Sequence, residues 1–434
     1  MRASIHTLGC RLNQAESSLL AEYLADAGYE LVPFGEPADL GIIHTCTVTR
    51  EADAKSRKLI RQFIRSNPDA FTAVIGCYSQ LAAETIARIP GVDLILGNQE
   101  KLHLLDYLQP QKNPTPKIVC SKIPREDFSL DVPSTANRPS FLRRRANLKI
   151  QDGCNFMCSF CIIPFARGRV RSREISNLLD EARELIRRGA KEIVLTGVNL
   201  GTYAYNEKNI YDVAAALGEL PGLQRIRISS IEPTTIPEKL FELMNDPAHP
   251  LVPFLHIPAQ SGSNHILTAM KRNYTREEFL EFIQLAHDSV PGIGIGTDLM
   301  VGFPGESEED FEQSAQLLQE SPIFFAHIFK YSERPATPAC RIAEKIPPTV
   351  AHQRSMKLHH IRTEKTRQFH RAHLGKTLDV LFEESSQGHW TGYTGNYIRI
   401  GVSSPENLEN QLRPVLLQKD LGEWVSGQLI SDGL

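Results

Sequence analysis

Three cysteines fall within one short run of this chain, Cys154-Asn155-Phe156-Met157-Cys158-Ser159-Phe160-Cys161, and this is its most specific local signal. A zinc site usually joins two close cysteines to a distant second pair. No fourth Cys or His follows here at ligand spacing. Three thiolates instead suit three corners of a [4Fe–4S] cube, leaving one iron open to an outside ligand. The run also follows a strand-like segment at 146–151. It therefore stands at the carboxyl end of a strand, where parallel α/β sheets and barrels carry their chemistry.

The flanking sequence predicts such a scaffold. Strand-like runs at 146–151, 192–196, 225–229, 251–256, 294–300 and 326–331 are mostly separated by helical periodicity. Six strand–helix units predict a partial (β/α)6 barrel, short of the eight that close a ring. Upstream, strands at 4–8, 40–44 and 72–75 alternate with a helix carrying Leu19, Leu20, Tyr23, Leu24 and Ala27 and with a basic-faced helix at 55–64. That alternation is an open α/β layer. Pro110, Pro114, Pro116, Pro124, Pro133 and Pro139 mark an irregular linker, and runs at 377–382, 391–402, 413–418 and 424–430 suit a small antiparallel β-barrel. The expected class is α/β, with an N-terminal domain at 1–110, a linker at 111–139, the partial barrel at 140–375 and the small barrel at 376–434.

With 434 residues, 41% hydrophobic and 23% charged, the composition excludes a disordered tail and a wholly basic nucleic-acid coat. The start Met1-Arg2-Ala3-Ser4-Ile5-His6 has no apolar signal core and no run approaches a membrane span, so a cytoplasmic protein with no membrane partner is expected. The net charge of −3 hides a partition. Residues 138–173 sum to +8, with Arg143, Arg144, Arg145, Arg167, Arg169, Arg171 and Arg173, and residues 354–376 sum to +6, around an acidic middle. Such blocks suit either solvated faces or a polyanionic partner.

The chain has eight cysteines, too few for a disulfide scaffold. Cys10, Cys46 and Cys77 each end a strand-like run that precedes a helical pattern. Strand ends of one parallel sheet converge at one edge, so these thiols either meet as a second ligand set or remain ordinary buried cysteines. Cys120 and Cys340 have no companion and are assigned no function. Strand ends rich in polar residues or glycine recur at Thr196-Gly197-Val198-Asn199, at Ser229-Ser230-Ile231-Glu232, at Gln260-Ser261-Gly262-Ser263 and at Gly302-Phe303-Pro304-Gly305. Together with Phe160, the residues Gly197, Asn199, Glu232, Gln260, Ser261 and Gly302 are candidate contacts for a nucleoside and an amino-acid group.

These motifs resemble the radical S-adenosylmethionine (SAM) methylthiotransferases over almost the whole chain. The likeness extends from Asp152-Gly153-Cys154 through Ile162-Ile163-Pro164-Phe165-Ala166-Arg167-Gly168 to the strand-end cysteines, and the tail resembles that family's TRAM domain, a small RNA-binding barrel. The resemblance implies two [4Fe–4S] clusters. Cys154, Cys158 and Cys161 would hold the one that binds SAM and yields a 5′-deoxyadenosyl radical. Cys10, Cys46 and Cys77 would hold an auxiliary cluster that carries the transferred sulfur. An electron donor and a sulfur source are implied as partners.

Within the family, Thr7-Leu8-Gly9-Cys10-Arg11-Leu12-Asn13-Gln14-Ala15-Glu16-Ser17 resembles the branch acting on tRNA that carries N6-threonylcarbamoyladenosine at position 37. The runner-up modifies an aspartate of a ribosomal protein, and a different class is a non-catalytic iron–sulfur or zinc RNA-binding protein. His44, Asn264 and Ala336 depart from the family's usual residues. His44 is either a group acting beside the auxiliary cluster or a strand-end histidine facing solvent. The acidic tail, net −5 over 377–434, leaves most phosphate contact to the 138–173 arginines and the 354–376 helix.

Overall fold

The structure is a computed structural model that describes residues 1–109, 112, 114–133, 145–386 and 388–430. Arg143, Arg144, Pro110 and Pro139 lie outside the described residues. Two compact units emerge: Met1–Arg188 with Leu195–Asn209 and Ser332–Cys340, and Gly189–Val194 with Ile210–Tyr331 and Arg341–Leu434.

In the first unit, β1 (Arg2–Thr7), β2 (Glu30–Leu31), β3 (Leu40–Thr45), β4 (Phe71–Gly76), β5 (Leu94–Leu96) and β6 (Lys117–Val119) form a parallel sheet in the order β2-β1-β3-β4-β5-β6. Helices α1 (Arg11–Asp26), α2 (Arg50–Ser66) and α3 (Cys77–Ala87) connect its strands. The fully buried runs of β3 and β4 have the near-continuous apolar character of a sheet covered on both faces. Leu20, Leu24, Ile42 and Leu94 pack in one core, and Ile43, Ile60, Phe63 and Val74 in another. Part of the segment expected as irregular linker is β6, where Ile118 and Val119 extend the sheet beside Ile95 and Leu96.

From residue 145 onward come β7 (Arg145–Lys149), β8 (Gln151–Asp152), α4 (Ile163–Arg167), β9 (Arg171–Ser172) and α5 (Ile175–Arg187). β8 and β9 pair antiparallel around the cysteine loop, Gln151 opposite Ser172 and Asp152 opposite Arg171. Strand β10 (Glu192–Thr196) is divided between the units after Val194.

The second unit holds α6 (Ile210–Gly218), β11 (Arg225–Ile228), α7 (Lys239–Asn245), β12 (Phe254–His256), α8 (Asn264–Ala269), α9 (Arg276–Ser289), β13 (Gly294–Val301), α10 (Glu308–Glu320), β14 (Phe325–Lys330) and α11 (Pro348–Arg371). All six expected strands between 146 and 331 are present, β7 and β10 to β14, with helices between them. β12, β13 and β14 run parallel, Asp298 opposite His327. Capping boxes at Thr275 with Glu278 and at Ser307 with Asp310 start α9 and α10.

The tail closes into a five-stranded barrel in the order β15-β16-β17-β19-β18: β15 (Thr377–Ser386), β16 (His389–Thr394), β17 (Arg399–Ser403), β18 (Leu412–Asp420) and β19 (Val425–Leu429). Two expectations are corrected here. The run 391–402 is two strands, broken after Thr394 by a turn in which Tyr397 takes a φ of +74°. The barrel is also not wholly antiparallel, because β17 and β19 pair parallel. A ring with an odd number of strands cannot alternate direction throughout.

Candidate functional site

Cys10 caps the N-terminus of α1, Cys46 follows β3, and Cys77 opens α3, so the carboxyl ends of β1, β3 and β4 deliver one thiol each. The approach is close. A Cβ added at Gly9, whose φ is +96°, would lie 2.7 Å from the Cys46 Cβ and 2.9 Å from its Sγ, so only glycine fits beside Cys10. Burial pushes the Cys46 thiol up to about 12, with Cys77 and Cys10 adding to the rise. Cys10 is exposed as a residue, yet desolvation of its thiol raises that pKa too, with Cys77 contributing and Arg167 opposing. The three thiols thus form one electrostatic group.

Beneath them lies a buried charge network. Glu16 is fully buried and accepts from Lys101 Nζ at 2.5 Å, Lys149 Nζ at 2.7 Å and Arg167 at 3.0 and 3.1 Å. Asp152 accepts from Lys149 at 2.7 Å, Arg167 at 2.9 Å and Arg171 at 3.5 Å. Burial alone would raise both carboxyls, but Arg167, Lys101 and Lys149 hold Glu16 well below the carboxylate range, and Lys149 and Arg167 lower Asp152. Burial lowers His44 far enough to keep it neutral, and Lys101 and Arg167 act the same way. Its Nδ1 lies 2.8 Å from Ser17 Oγ and the side chain is wholly buried, which excludes a histidine facing solvent.

Backbone hydrogen bonds hold the start of the Cys154–Cys161 loop. Cys154 N donates to Gly168 O at 3.1 Å, and Phe156 N approaches Cys154 Sγ at 3.3 Å. Cys154 and Cys158 are buried, while Cys161 and Phe160 are half-buried. Gln151 ties this loop to the next strand end: its Oε1 accepts from Val198 N at 2.7 Å and Asn199 N at 3.1 Å, and its Nε2 donates to Gly153 O at 2.7 Å. A Cβ at Gly197 would lie 2.7 Å from that Oε1. The expected neighbours Gly197 and Asn199 are therefore brought to the cysteine loop.

The arginines reverse an expectation. Arg167, Arg171 and Arg173 are buried, Arg173 being paired with Glu181, so they cannot meet a phosphate at the surface. Arg169 is exposed and Arg145 half-buried. In the second unit, α11 buries Arg354, paired with Glu306 and Glu308, whereas Lys357, Arg367 and Arg371 remain exposed although they pair with Glu312 and Asp420. Charge counted along the chain overstated what is available to a polyanion.

Residues 148–318 match the Radical SAM superfamily, and residues 2–97 match a family described as uncharacterized protein family UPF0004. The chain is 36% identical to the threonylcarbamoyladenosine tRNA methylthiotransferase MtaB of Bacillus subtilis (strain 168), covering 98% of this chain and 96% of that protein. The MtaB of Aquifex aeolicus (strain VF5) is 38% identical over 92% of this chain and 96% of its own length. The chain belongs to the radical SAM methylthiotransferases. A relative in Jannaschia sp. (strain CCS1), a tRNA-2-methylthio-N(6)-dimethylallyladenosine synthase, is 32% identical over 98% of this chain and 93% of its own. Among solved structures, the radical SAM methyltransferase TsrM from Kitasatospora setae aligns with a TM-score of 0.56 at 15% identity, covering 78% of this chain and 76% of that one, which shows the shared fold.

A radical SAM methylthiotransferase uses SAM and a [4Fe–4S] cluster, and the donor chemistry fits: thiols in sets of three at strand ends, with buried cations beside one set. The remaining expected cofactor contacts divide. In the second unit, Glu232 is ion-paired to Arg272, which also donates to Tyr274 Oη, and burial raises the Glu232 pKa against that pairing. Gln260 takes a φ of +66° and its backbone is held by Asp298 O and Met300 N, each at 2.8 Å. Ser261 and Gly302 face helices: Ser261 Oγ lies 3.3 Å from Ser314 Oγ, Gly302 N donates to Glu306, and a Cβ at Gly302 would sit 2.7 Å from Ala351 Cβ. Cys120 Sγ lies 3.6 Å from Ser79 O, and Cys340 Sγ 2.9 Å from Arg334 O.

Sequence reasoning missed Asn13, Glu16, Asn98, Lys101 and Lys149. A signal existed for Glu16, which occupies the helical stripe Leu12, Leu19, Leu20, Leu24 as its single charge. A polar cluster on β12 to β14 was missed as well. His256 Nε2 meets Asp298 Oδ1 at 3.0 Å, with His327 joining them, and the parallel register sets Asp298 beside His327.

Proposed function

We propose that this chain is the tRNA methylthiotransferase that converts N6-threonylcarbamoyladenosine at position 37 to its 2-methylthio derivative, with two [4Fe–4S] clusters in the cytoplasm. The convergence of Cys10, Cys46 and Cys77 above buried cations supports the second cluster most directly. The likeness to proteins named for that substrate, and Arg11-Leu12 after Cys10, support the nucleoside.

In this reading Cys154, Cys158 and Cys161 hold the SAM-binding cluster and Cys10, Cys46 and Cys77 hold the auxiliary one. When bound, the first supplies the electron that makes SAM a radical source, and the second supplies the sulfur. The residues of the chain bind, orient and shield. Gln151 fixes Gly153 and the 198–199 backbone, and in this reading Phe160, Gly197 and Asn199 contact the cofactor. Glu232, with its pKa raised by burial, and Gln260, with its strained backbone, offer polar groups to the nucleoside or the amino-acid end. Burial of Cys154 and Cys158 keeps solvent from reactive groups. The small barrel and the exposed Arg169 supply RNA contact, and an electron donor and a sulfur source act as partners.

The test is mass spectrometry of tRNA nucleosides from cells with and without the protein, with the reaction repeated on purified, iron-loaded chain. Loss of 2-methylthio-N6-threonylcarbamoyladenosine, restored by the wild-type chain and not by Cys158→Ala, is the expected result. SAM cleavage without that nucleoside would redirect the substrate to dimethylallyl-adenosine or to a ribosomal-protein aspartate.

A further inference from the structure

Of the buried network in the first unit, four members are cationic, Lys101, Lys149, Arg167 and Arg171, and two anionic, Glu16 and Asp152. Among the described residues, this buried network therefore holds two more positive charges than negative ones. Buried charge without a counter-charge is costly, by several kcal/mol per ion. The excess therefore marks a place where negative charge is expected to reside.

That place is the thiol triad. Hydrogen bonds tie the Arg167 guanidinium to the segments that carry the thiols. Its NH2 donates to Asn13 Oδ1 at 2.6 Å, and Asn13 Nδ2 donates to Leu8 O at 2.8 Å and Thr45 O at 3.1 Å, the segments leading to Cys10 and Cys46. Asn98 Nδ2 donates to Ala166 O at 2.7 Å and lies 3.6 Å from Cys77 Sγ, while its Oδ1 accepts from Lys101 at 2.8 Å. Ala166 and Arg167 end the helix that follows Cys161. The loop of one cysteine triad thus inserts its cation and one carbonyl into the support of the other.

We infer that Arg167 is a positioning residue shared by the two cysteine triads: its charge, within the two-charge excess, balances an anionic cluster at Cys10, Cys46 and Cys77 and holds that cluster's reduction potential up. The inference rests on the proposed function, which assigns a cluster to those thiols. A [4Fe–4S] core on three thiolates carries a charge of roughly −1, and roughly −2 after one-electron reduction, so nearby cations favour the reduced form. Removing a cation lowers the potential.

The experiment isolates the auxiliary cluster in the full-length chain carrying Cys154→Ala, Cys158→Ala and Cys161→Ala, reconstituted with iron and sulfide. Redox titration followed by electron paramagnetic resonance gives its midpoint potential. Adding Arg167→Gln is expected to shift the midpoint to more negative values. Arg167→Lys, which keeps the charge, returns most of the shift. Lys101→Met, which leaves the Arg167–Asn13 contact in place, moves the potential in the same direction and serves if Arg167→Gln loads no iron. An unmoved potential in iron-loaded Arg167→Gln or Lys101→Met overturns the inference, as does a shift in Arg167→Lys as large as in Arg167→Gln. A parent chain that takes up no iron overturns the two-cluster reading itself and the inference with it.

Discussion

Replacing Glu16 by Gln tests the charge network without touching a cysteine. Glu16 is fully buried and accepts from Lys101, Lys149 and both terminal nitrogens of Arg167. The amide keeps the shape and one acceptor oxygen but removes the charge, leaving Asp152 alone against four cations. Breaking a buried pair by removing one partner costs about 3–5 kcal/mol. The retained acceptor places the expected loss near the lower end, about 3 kcal/mol.

The loss is pH-dependent, and its sign follows from Lys101. Burial and Arg167 bring Lys101 down to about 8 against the pull of Glu16. Without Glu16 it falls further, so Lys101 releases its proton near neutrality and relieves part of the excess. A lysine whose folded pKa lies below its unfolded value binds more protons unfolded, so stability rises with pH through that window. The deficit of Glu16→Gln is therefore largest below about pH 7 and shrinks as the pH rises through about 8, above which Lys101 is neutral in both folded chains. Hydrogen exchange at the amides of α1 in the iron-free chain reads the opening free energy of this unit. A variant within about 1 kcal/mol of wild type at about pH 6.5, or a deficit that grows with pH, would refute the reasoning.

Gly153→Ala places a Cβ 2.0 Å from Arg169 O at a φ of +72°, so the residue before Cys154 must move. We expect a loss of about 1–3 kcal/mol and sub-stoichiometric iron at that triad; thermal melts and iron content check it, and wild-type values in both would contradict it. Glu22 has its pKa pushed up to about 7 by burial, against Arg188 at 3.1 Å. Its unfolded state ionises first, so this site destabilises the fold as pH rises from about 4.5 to 7. Glu22→Gln should flatten that dependence in thermal melts, and an unchanged slope would count against it.

Much of the architecture was legible because strand and helix periods are local. All six strands between 146 and 331 lie within a few residues of their expected bounds, and each of Cys10, Cys46 and Cys77 sits at the strand end from which convergence was argued. The break after Thr394 was signalled locally by Gly395-Asn396, a turn pair that a single-strand reading of 391–402 passed over, and the structure places the turn there with Tyr397 at a φ of +74°. Part of the site was hidden. Arg167, Arg171 and Arg173 read along the chain as a surface for phosphate, because a count of charge carries no record of burial. Glu16 was visible only as a charge in an apolar stripe, with its partners lying 85 and 133 residues away at Lys101 and Lys149.

The sequence by itself carried the motifs that mark the family and placed each of the six cysteines in a loop or at a strand end. Ligand spacing within a loop and position at a strand end are properties of a few adjacent residues. Only the tertiary structure decided that the two sets share a support, and that two positive charges remain beneath one of them. That balance depends on which side chains leave water together, and residues distant in the chain meet there only when the sheet, α1 and the cysteine loop have folded.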